Sequence, residues 1–115
     1  MKVEKKYRWV KVAQNTDRLI FAHNNIATIK LEEKIICIAK TVLGLKAFSS
    51  KCPHAAGDLS MGKLDKKGNI ICPVHGYAFS VNNGRDTIGE GYFLKIYPIK
   101  EVNEEVFIGI TEDIF

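Results

Sequence analysis

Short apolar runs separated by turn residues dominate the chain, and apolar residues rarely recur with the period of a helix. The stretch Ile26–Leu31 shows the clearest pattern, because its side chains alternate between two sets that would face opposite sides of a strand. The other runs that predict strands are 7–12, 35–39, 45–50, Asn69–Ile71, 77–81, 93–99 and 106–110. The pattern predicts an all-β domain of about eight to ten short strands, arranged as an antiparallel β-sandwich or a partly open barrel.

Turn signals between the runs support this prediction. The segments 65–68, 82–84 and 103–105 are rich in residues that favour tight turns. The dipeptide Asn83-Gly84 also accepts positive φ, which predicts a tight hairpin directly after the run 77–81. Possible helical character is confined to residues 15–24.

Length and cysteine content bound the class of protein. At 115 residues and 12.9 kDa, we expect one domain spanning 1–115. No run approaches the roughly 18 apolar residues of a membrane span, and no apolar stretch typical of a signal peptide follows the charged segment 1–8. Three cysteines also differ from the even set that is usual in a secreted disulfide framework. These features predict a cytoplasmic protein.

The charge is modest in total but unevenly distributed. The formal net charge is +4; residues 1–80 carry fourteen Lys/Arg against six Asp/Glu, whereas residues 81–115 carry three against seven. A nucleic-acid-binding protein would usually concentrate its basic residues in one stripe with aromatic residues interleaved. The lysines of this chain are scattered singly through strand-like segments, as on a solvated face, so we expect no nucleic-acid partner.

Two short Cys/His pairs carry the candidate chemistry. Cys52 and His54 have one residue between them, Cys72 and His75 have two, and a proline follows each cysteine. Structural zinc sites usually combine Cys-x2-4-Cys with His-x3-5-His, so that each pair supplies one type of donor. Here each pair offers one thiolate and one imidazole, which suits two irons of different ligation better than one tetrahedral zinc. A zinc-stabilised β module for protein interaction stays open as an alternative.

The segments 52–62 and 72–79 resemble the Rieske [2Fe–2S] ferredoxin family. The family pattern is Cys-x-His, then about fifteen to seventeen residues, then Cys-x-x-His. A glycine and a leucine usually follow the first pair, and Gly-x-x-Phe belongs to the second; all of these residues are present here. Outside this core the resemblance is weaker but reaches the strand-like segment 94–99.

The resemblance implies a cofactor and a role for each of the four residues. Cys52 and Cys72 would hold one iron as thiolates, and His54 and His75 would hold the other as imidazoles, in one [2Fe–2S] cluster per chain. The two ligand loops would form a cluster-binding subdomain at about residues 48–82. Within them, glycines 57 and 76 would permit backbone bends and close approach to the cluster.

Four positions depart from the high-potential members of the family. Asp58 and Val74 occupy the places of the two cysteines that form a disulfide in those proteins, so no disulfide is expected here. Tyr77 and Phe79 replace a serine and a tyrosine whose hydroxyl groups bond to the cluster and its ligand. Fewer donors stabilise the reduced cluster less, and we expect a reduction potential near the lower end of the Rieske range, roughly −150 mV.

The segment 87–92 corresponds to a proline-containing segment that commonly covers the cluster. In this chain it contains no proline. We expect it to form a third loop on the cluster side, more flexible than usual, with Glu90 facing the cluster region.

Cys37 and His23 lie outside both pairs and have simple explanations. Cys37 belongs to the apolar run 35–39, so we expect a buried, unreactive thiol. His23 is far from both pairs in sequence, and we expect a surface or hydrogen-bonded histidine.

The resemblance implies an electron carrier that is not itself an enzyme. It would take one electron from a reductase and deliver it to a terminal oxygenase or another oxidoreductase, through a weak and transient interface at the exposed edge of His54 and His75. The length leaves no room for the catalytic domain of an oxygenase. The alternative within the same fold is the small subunit of a nitrite reductase.

Overall fold

The computed structural model describes residues 6–55 and 57–111, which form ten β-strands, two single 3₁₀ turns and no α-helix. The strands are β1 Tyr7–Ala13, β2 Ile26–Leu31, β3 Lys34–Thr41, β4 Gly44–Ser49, β5 Lys63–Leu64, β6 Asn69–Ile71, β7 Ala78–Ser80, β8 Ile96–Tyr97, β9 Ile99–Val102 and β10 Glu105–Thr111. The 3₁₀ turns are Thr16–Arg18 and Leu59–Met61. No helix in these residues is long and apolar enough to cross a membrane.

The strands form three antiparallel sheets. We call them the outer sheet, with order β1-β10-β9, the central sheet, β2-β3-β4-β8, and the small sheet, β5-β6-β7. The described strands do not close into a barrel, and the all-β, antiparallel fold class is confirmed.

The central sheet is buried on both faces. Along β3, Ile36 and Ile38 join a core that includes Val106 and Ile108 of the outer sheet, whereas Cys37 and Ala39 join a second core with residues of the small sheet. This explains why β3 reads as an almost unbroken apolar run instead of an alternating one. The second core contains Phe48, Cys52, Leu59, Ile70, Cys72, Phe79, Val81 and Leu94, so it extends from the central sheet to the two candidate cysteines.

Two hairpins turn through residues with positive φ. Glu32 and Glu33 have φ of 50° and 73° between β2 and β3, and Asn103 and Glu104 have φ of 51° and 72° between β9 and β10. Two consecutive left-handed residues match the right-handed twist of the flanking strands. The turn after β7 also holds Gly84 at φ 81°, as expected, but the chain returns through an isolated bridge between Phe79 and Asp86 instead of a full strand.

The prediction of one strand over 93–99 is wrong. The structure has β8 at Ile96–Tyr97 in the central sheet and β9 at Ile99–Val102 in the outer sheet. Pro98 separates them because it has no N–H with which to continue the first ladder, and its carbonyl accepts instead from Gly109 N–H at 2.9 Å. The possible helical character of 15–24 reduces to the single turn Thr16–Arg18.

Candidate metal centre

The first loop, described at residues 52–55 and 57, begins shortly after β4 at the edge of the second core. The N–H of Cys52 donates to the carbonyl of Gly57 at 2.9 Å, and the N–H of Leu59 donates to the carbonyl of Ser50 at 2.7 Å. Lys51 and Asp58 form an antiparallel bridge at the base of the loop. The loop is therefore a closed hairpin that projects its cysteine inward.

The second loop, residues 72–77, joins β6 to β7 and repeats this closure. The N–H of Cys72 donates to the carbonyl of Tyr77 at 2.7 Å, which again lies five residues later. A further bond joins Gly76 N–H to the carbonyl of Cys72 at 3.0 Å. Gly76 has φ 73°, a conformation that glycine adopts without strain, so the turn requires this residue for its backbone freedom.

The two loops bring the four predicted residues together as like pairs. Cys52 and Cys72 are each 1% exposed, and they lie close enough for Cys52 to raise the pKa of the Cys72 thiol. The rings of His54 and His75 meet edge to face, with centroids 5.2 Å apart. His54 is half-buried and His75 is exposed. The thiols thus form an inner pair and the imidazoles an outer pair.

The loops pack so closely that only glycine fits at position 57. A Cβ atom there would lie 2.8 Å from Cys72 Sγ and 2.6 Å from Val74 Cγ2. Gly57 does not have positive φ, so its requirement is close approach and not backbone freedom. The two glycines of the motif therefore serve different physical purposes.

The donor set fits an iron–sulfur cluster. The Nδ1 atom of His54 is buried and has no hydrogen-bond partner, and an unsatisfied buried polar atom costs about 1–3 kcal/mol. A [2Fe–2S] cluster would satisfy this nitrogen at one iron and the two facing thiols at the other. Across residues 6–55 and 57–111, no three His, Cys, Asp or Glu side chains converge on a position for one metal ion. Such convergence is not required of a [2Fe–2S] cluster whose irons each take two protein ligands.

The local environment of the Cys72 thiol opposes ionisation in the absence of metal. Burial raises the pKa of Cys72, the N–H groups of Val74 and His75 act in the opposite direction, and the neighbouring Cys52 raises it further. Metal binding would therefore have to displace protons from the inner pair.

Two tyrosines enclose His54, and the sequence analysis missed this cage. The ring of Tyr77 stacks on the imidazole with centroids 3.6 Å apart and an interplanar angle of 21°. Tyr92 meets the imidazole edge-on at 5.3 Å and Tyr77 at 5.9 Å. The position of Tyr77 two residues after His75 was visible in the sequence, but its stacking on the histidine of the other loop was not.

The third loop, residues 87–92, lies beside the other two as predicted, since Tyr92 contacts His54. We expected a flexible loop only because the segment contains no proline. The structure shows a different restraint, the carboxylate of Asp86. The Asp86 carboxylate accepts from the N–H of Ile88 at 3.1 Å and Glu90 at 3.0 Å through Oδ1, and from the N–H of Tyr92 at 2.8 Å through Oδ2. Desolvation opposes ionisation of Asp86, but these N–H donors prevail and lower its pKa.

Glu90 faces the cage, as expected. The hydroxyl of Tyr77 donates to Glu90 Oε2 at 2.7 Å. This bond, with desolvation and the nearby carboxylates, raises the pKa of Tyr77 to about 12. The hydroxyl therefore remains a protonated donor at neutral pH, and it points to the third loop.

The other singled-out residues occupy structural positions. Asp58 accepts from the N–H and hydroxyl of Ser60 at 2.9 and 2.6 Å and thereby caps the turn Leu59–Met61. Phe79 is fully buried in the second core. Cys37 is also fully buried, and burial, with a smaller effect of Asp58, raises the pKa of its thiol to about 12. His23 is exposed.

Comparison with known proteins places this geometry in a family. The model of the Rieske [2Fe-2S] domain matches residues 8–89. The ferredoxin component of the alkene monooxygenase system of Xanthobacter autotrophicus is 33% identical over 63 residues, which are 55% of this chain and 52% of that protein. The oxygenase subunit of the Escherichia coli carnitine monooxygenase is 30% identical over 74 residues, 64% of this chain and 20% of that protein. The chain thus spans about half or less of these curated relatives.

Solved structures share the fold. The ferredoxin of carbazole 1,9a-dioxygenase from Nocardioides aromaticivorans superposes with a TM-score of 0.73 at 22% identity, covering 87% of this chain and 95% of that one. The structure described as the small subunit of an NADH-dependent nitrite reductase from Mycobacterium tuberculosis gives a TM-score of 0.78 at 16% identity, covering 94% and 99%. With the family match extending over both Cys/His pairs, this chain belongs to the Rieske [2Fe-2S] domain family and carries one [2Fe–2S] cluster.

Proposed function

We propose that the protein is a Rieske ferredoxin that carries one electron from a reductase to a terminal oxygenase or another oxidoreductase. The observation that carries this proposal is the separation of the donors into a buried thiol pair and an outer imidazole pair. A carrier needs one side of its cofactor protected from water and the other close to the surface. This arrangement supports both needs.

The four ligands of the proposal are Cys52 and Cys72 on one iron and His54 and His75 on the other. When bound, the cluster supplies a one-electron couple, and its two neutral imidazoles raise the potential above that of an all-cysteine plant-type centre. The chain's own contribution is to release the thiol protons and to bury both sulfurs. It also presents the exposed imidazole of His75 to the partner.

The relatives support the choice of partners. The alkene monooxygenase relative is named as the ferredoxin component of its system, and the carbazole 1,9a-dioxygenase ferredoxin has been solved in complex with its oxygenase. We infer that this chain is likewise a component of an oxygenase system and not an enzyme in its own right. Its partner interfaces would be small, below about 1,200 Å², as is usual for transient redox encounters.

A second candidate is the small subunit of a nitrite reductase. It is favoured by the TM-score of 0.78 and the nearly complete mutual coverage with the Mycobacterium tuberculosis structure. The two candidates differ in partner: a carrier exchanges electrons with a separate reductase and oxygenase, whereas a subunit co-purifies with the large subunit of its enzyme.

The proposal also assigns domain and location. The small sheet and the first two loops, within about residues 48–82, would be the cluster-binding subdomain of a single domain spanning 1–115. We place the protein in the cytoplasm, where reduced thiols are available for cluster assembly.

Metal analysis tests the proposal directly. We expect two irons and two acid-labile sulfides per chain after anaerobic purification, and one-electron reduction in a titration followed by visible absorbance. One zinc and no sulfide would contradict the proposal and favour the zinc-stabilised interaction module. Stopped-flow mixing with a ferredoxin reductase and then with an oxygenase would distinguish the carrier from the subunit.

A further inference from the structure

A carboxylate is connected to one outer imidazole through a single tyrosine. Glu90 Oε2 accepts from the Tyr77 hydroxyl at 2.7 Å, and the Tyr77 ring lies face to face with the His54 ring at 3.6 Å between centroids. The hydrogen bond determines where the hydroxyl end of the tyrosine points, and the stack determines where its ring lies. Glu90 is therefore held near the histidine side of the centre without being a ligand.

The backbone of Glu90 is fixed independently of this bond. Its N–H donates to Asp86 Oδ1 at 3.0 Å, and the Tyr92 N–H donates to Asp86 Oδ2 at 2.8 Å. The Tyr92 ring then meets both Tyr77 and His54 edge-on. An exposed glutamate would otherwise sample many rotamers, but here both the backbone and the carboxylate of Glu90 have partners.

The charged side chains that act on the Tyr77 hydroxyl are acidic. The carboxylates of Glu90 and Asp86 both act on the Tyr77 hydroxyl. Within the described residues no Lys or Arg forms a salt bridge with Glu90, and Arg85 instead lies over the ring of Phe93, 6.0 Å from its centroid. The charges that act on the Tyr77 hydroxyl are therefore acidic, on the side of the centre where its ring stacks on the His54 imidazole.

Building on the proposed function, we propose that Glu90 is a tuning residue whose carboxylate lowers the reduction potential of the cluster. Reduction transfers one electron from the reductase to the cluster and adds one negative charge, while no covalent bond forms or breaks. A fixed negative charge nearby disfavours this addition and favours delivery of the electron to the acceptor. Tyr77 is the positioning residue, because its hydroxyl binds the Glu90 carboxylate while its ring stacks on His54.

The test is the midpoint potential of Glu90→Gln. Glutamine keeps an oxygen that accepts from Tyr77 but loses the charge, so the potential should rise; a tenfold change in the one-electron equilibrium corresponds to about 59 mV. The rise should shrink at high salt, because Glu90 is exposed and the Debye length falls to about 3 Å at 1 M salt. Glu101→Gln removes the same charge from an exposed position on β9 of the outer sheet and should leave the potential unchanged.

The variant Tyr77→Phe tests whether the charge of Glu90 affects the potential only when Tyr77 holds the carboxylate in place. Phenylalanine retains a ring for stacking on His54 but cannot hold Glu90, so Glu90→Gln should shift the potential by less than half as much in this background. Equal potentials for wild type and Glu90→Gln, in samples with two irons and two sulfides per chain, would overturn the tuning role. A protein without iron and sulfide would instead contradict the proposed function itself, so the two failures are distinguishable.

Discussion

The first and second loops have the same backbone closure but different surroundings. In each, the cysteine N–H donates to a carbonyl five residues later, at 2.9 Å to Gly57 and 2.7 Å to Tyr77. The imidazole of the first loop is enclosed by two tyrosines and buries an unpartnered nitrogen, whereas that of the second loop is exposed. Similar loops thus produce one protected and one open histidine.

The difference arises from position in the fold. The first loop is packed against the second through Gly57 and covered by the third through Tyr92. The third loop also contacts the second, through Tyr77, but Val74 and His75 of the second loop are exposed. If the chain is the carrier proposed above, the exposed side of the second loop is the part that would contact a partner. The following predictions test this division.

The largest loss of cluster should come from changes to the inner thiol pair, to which each loop contributes one cysteine. Replacing Cys52 or Cys72 by alanine should abolish the cluster, because both thiols would hold the same iron and the remaining described thiol, Cys37, lies in β3 and outside both loops. Iron and sulfide per chain, with the visible spectrum, measure the loss.

Cys37→Ala is the matched control for these variants. Cys37 is a fully buried cysteine of the same core, but it lies in β3 and outside both loops. We expect it to retain two irons and two sulfides and to lose only about 1–2 kcal/mol of unfolding free energy, the range for a small cavity. Cluster loss equal to that of Cys52→Ala would show that the core, and not ligation, decides occupancy.

The sequence reveals most of the strands and the four candidate ligands because both depend on local patterns. Alternation places β2 correctly, and the spacing of Cys52, His54, Cys72 and His75 is a feature of the chain itself. The cage around His54 could not be predicted in this way, since Tyr77 and Tyr92 come from different loops and meet only after the sheets assemble. In the sequence alone, Asp86 likewise looks like an ordinary loop residue, because the N–H groups that donate to its carboxylate are found only in the structure.

The error over 93–99 has the same origin. Its apolar residues suggest one strand, but residues on either side of Pro98 belong to different sheets. The missing N–H of proline was visible in the sequence. The choice of sheet depends instead on tertiary packing, here the approach of Gly109, where a Cβ atom would lie 3.3 Å from Pro98 Cβ.

The two motif glycines should respond differently to alanine, with the larger effect in the first loop. In Gly57→Ala the new Cβ would overlap Cys72 Sγ and Val74 Cγ2, and overpacking of this kind costs about 1–3 kcal/mol. We expect lower iron content and a lower urea midpoint. Val74→Ala in this background should recover only part of the loss, because the overlap with the sulfur remains.

In Gly76→Ala nothing lies within 4 Å of the new Cβ, and the cost is the left-handed backbone, about 1–2 kcal/mol. Gly76→Asn should recover part of it, since asparagine tolerates this conformation better, whereas Gly57→Asn should be worse than Gly57→Ala. If alanine and asparagine had the same order of stability at both positions, the distinction between close approach at Gly57 and backbone freedom at Gly76 would be wrong.

The smallest effect should come from removing the Asp86 carboxylate, which holds the backbone of the third loop beside His54. Asp86→Asn leaves one side-chain oxygen to serve three N–H donors, so hydrogen exchange should accelerate on the order of tenfold at Tyr92 or at both Ile88 and Glu90. Asp65→Asn is the matched control, because Asp65 accepts from the N–H of Lys67 and Asn69 in the β5–β6 turn. The asparagine oxygen can still accept from both amides and only the bond from the Asn69 side chain to Oδ2 is lost, so exchange should change little there and not at all in the third loop.

The depressed pKa of Asp86 gives this restraint a defined pH dependence. A carboxyl group with a lowered folded-state pKa stabilises the fold fully above its ordinary value, about 3.9, and loses that contribution as pH falls through the lowered value. Protection at Ile88, Glu90 and Tyr92 should therefore be constant from pH 7 to pH 5 and decline only below about pH 4, in samples whose visible spectrum shows an intact cluster. Asp86→Asn should show no such decline. A decline that began near pH 6, or that persisted in the variant, would assign control of the third loop to a group other than Asp86.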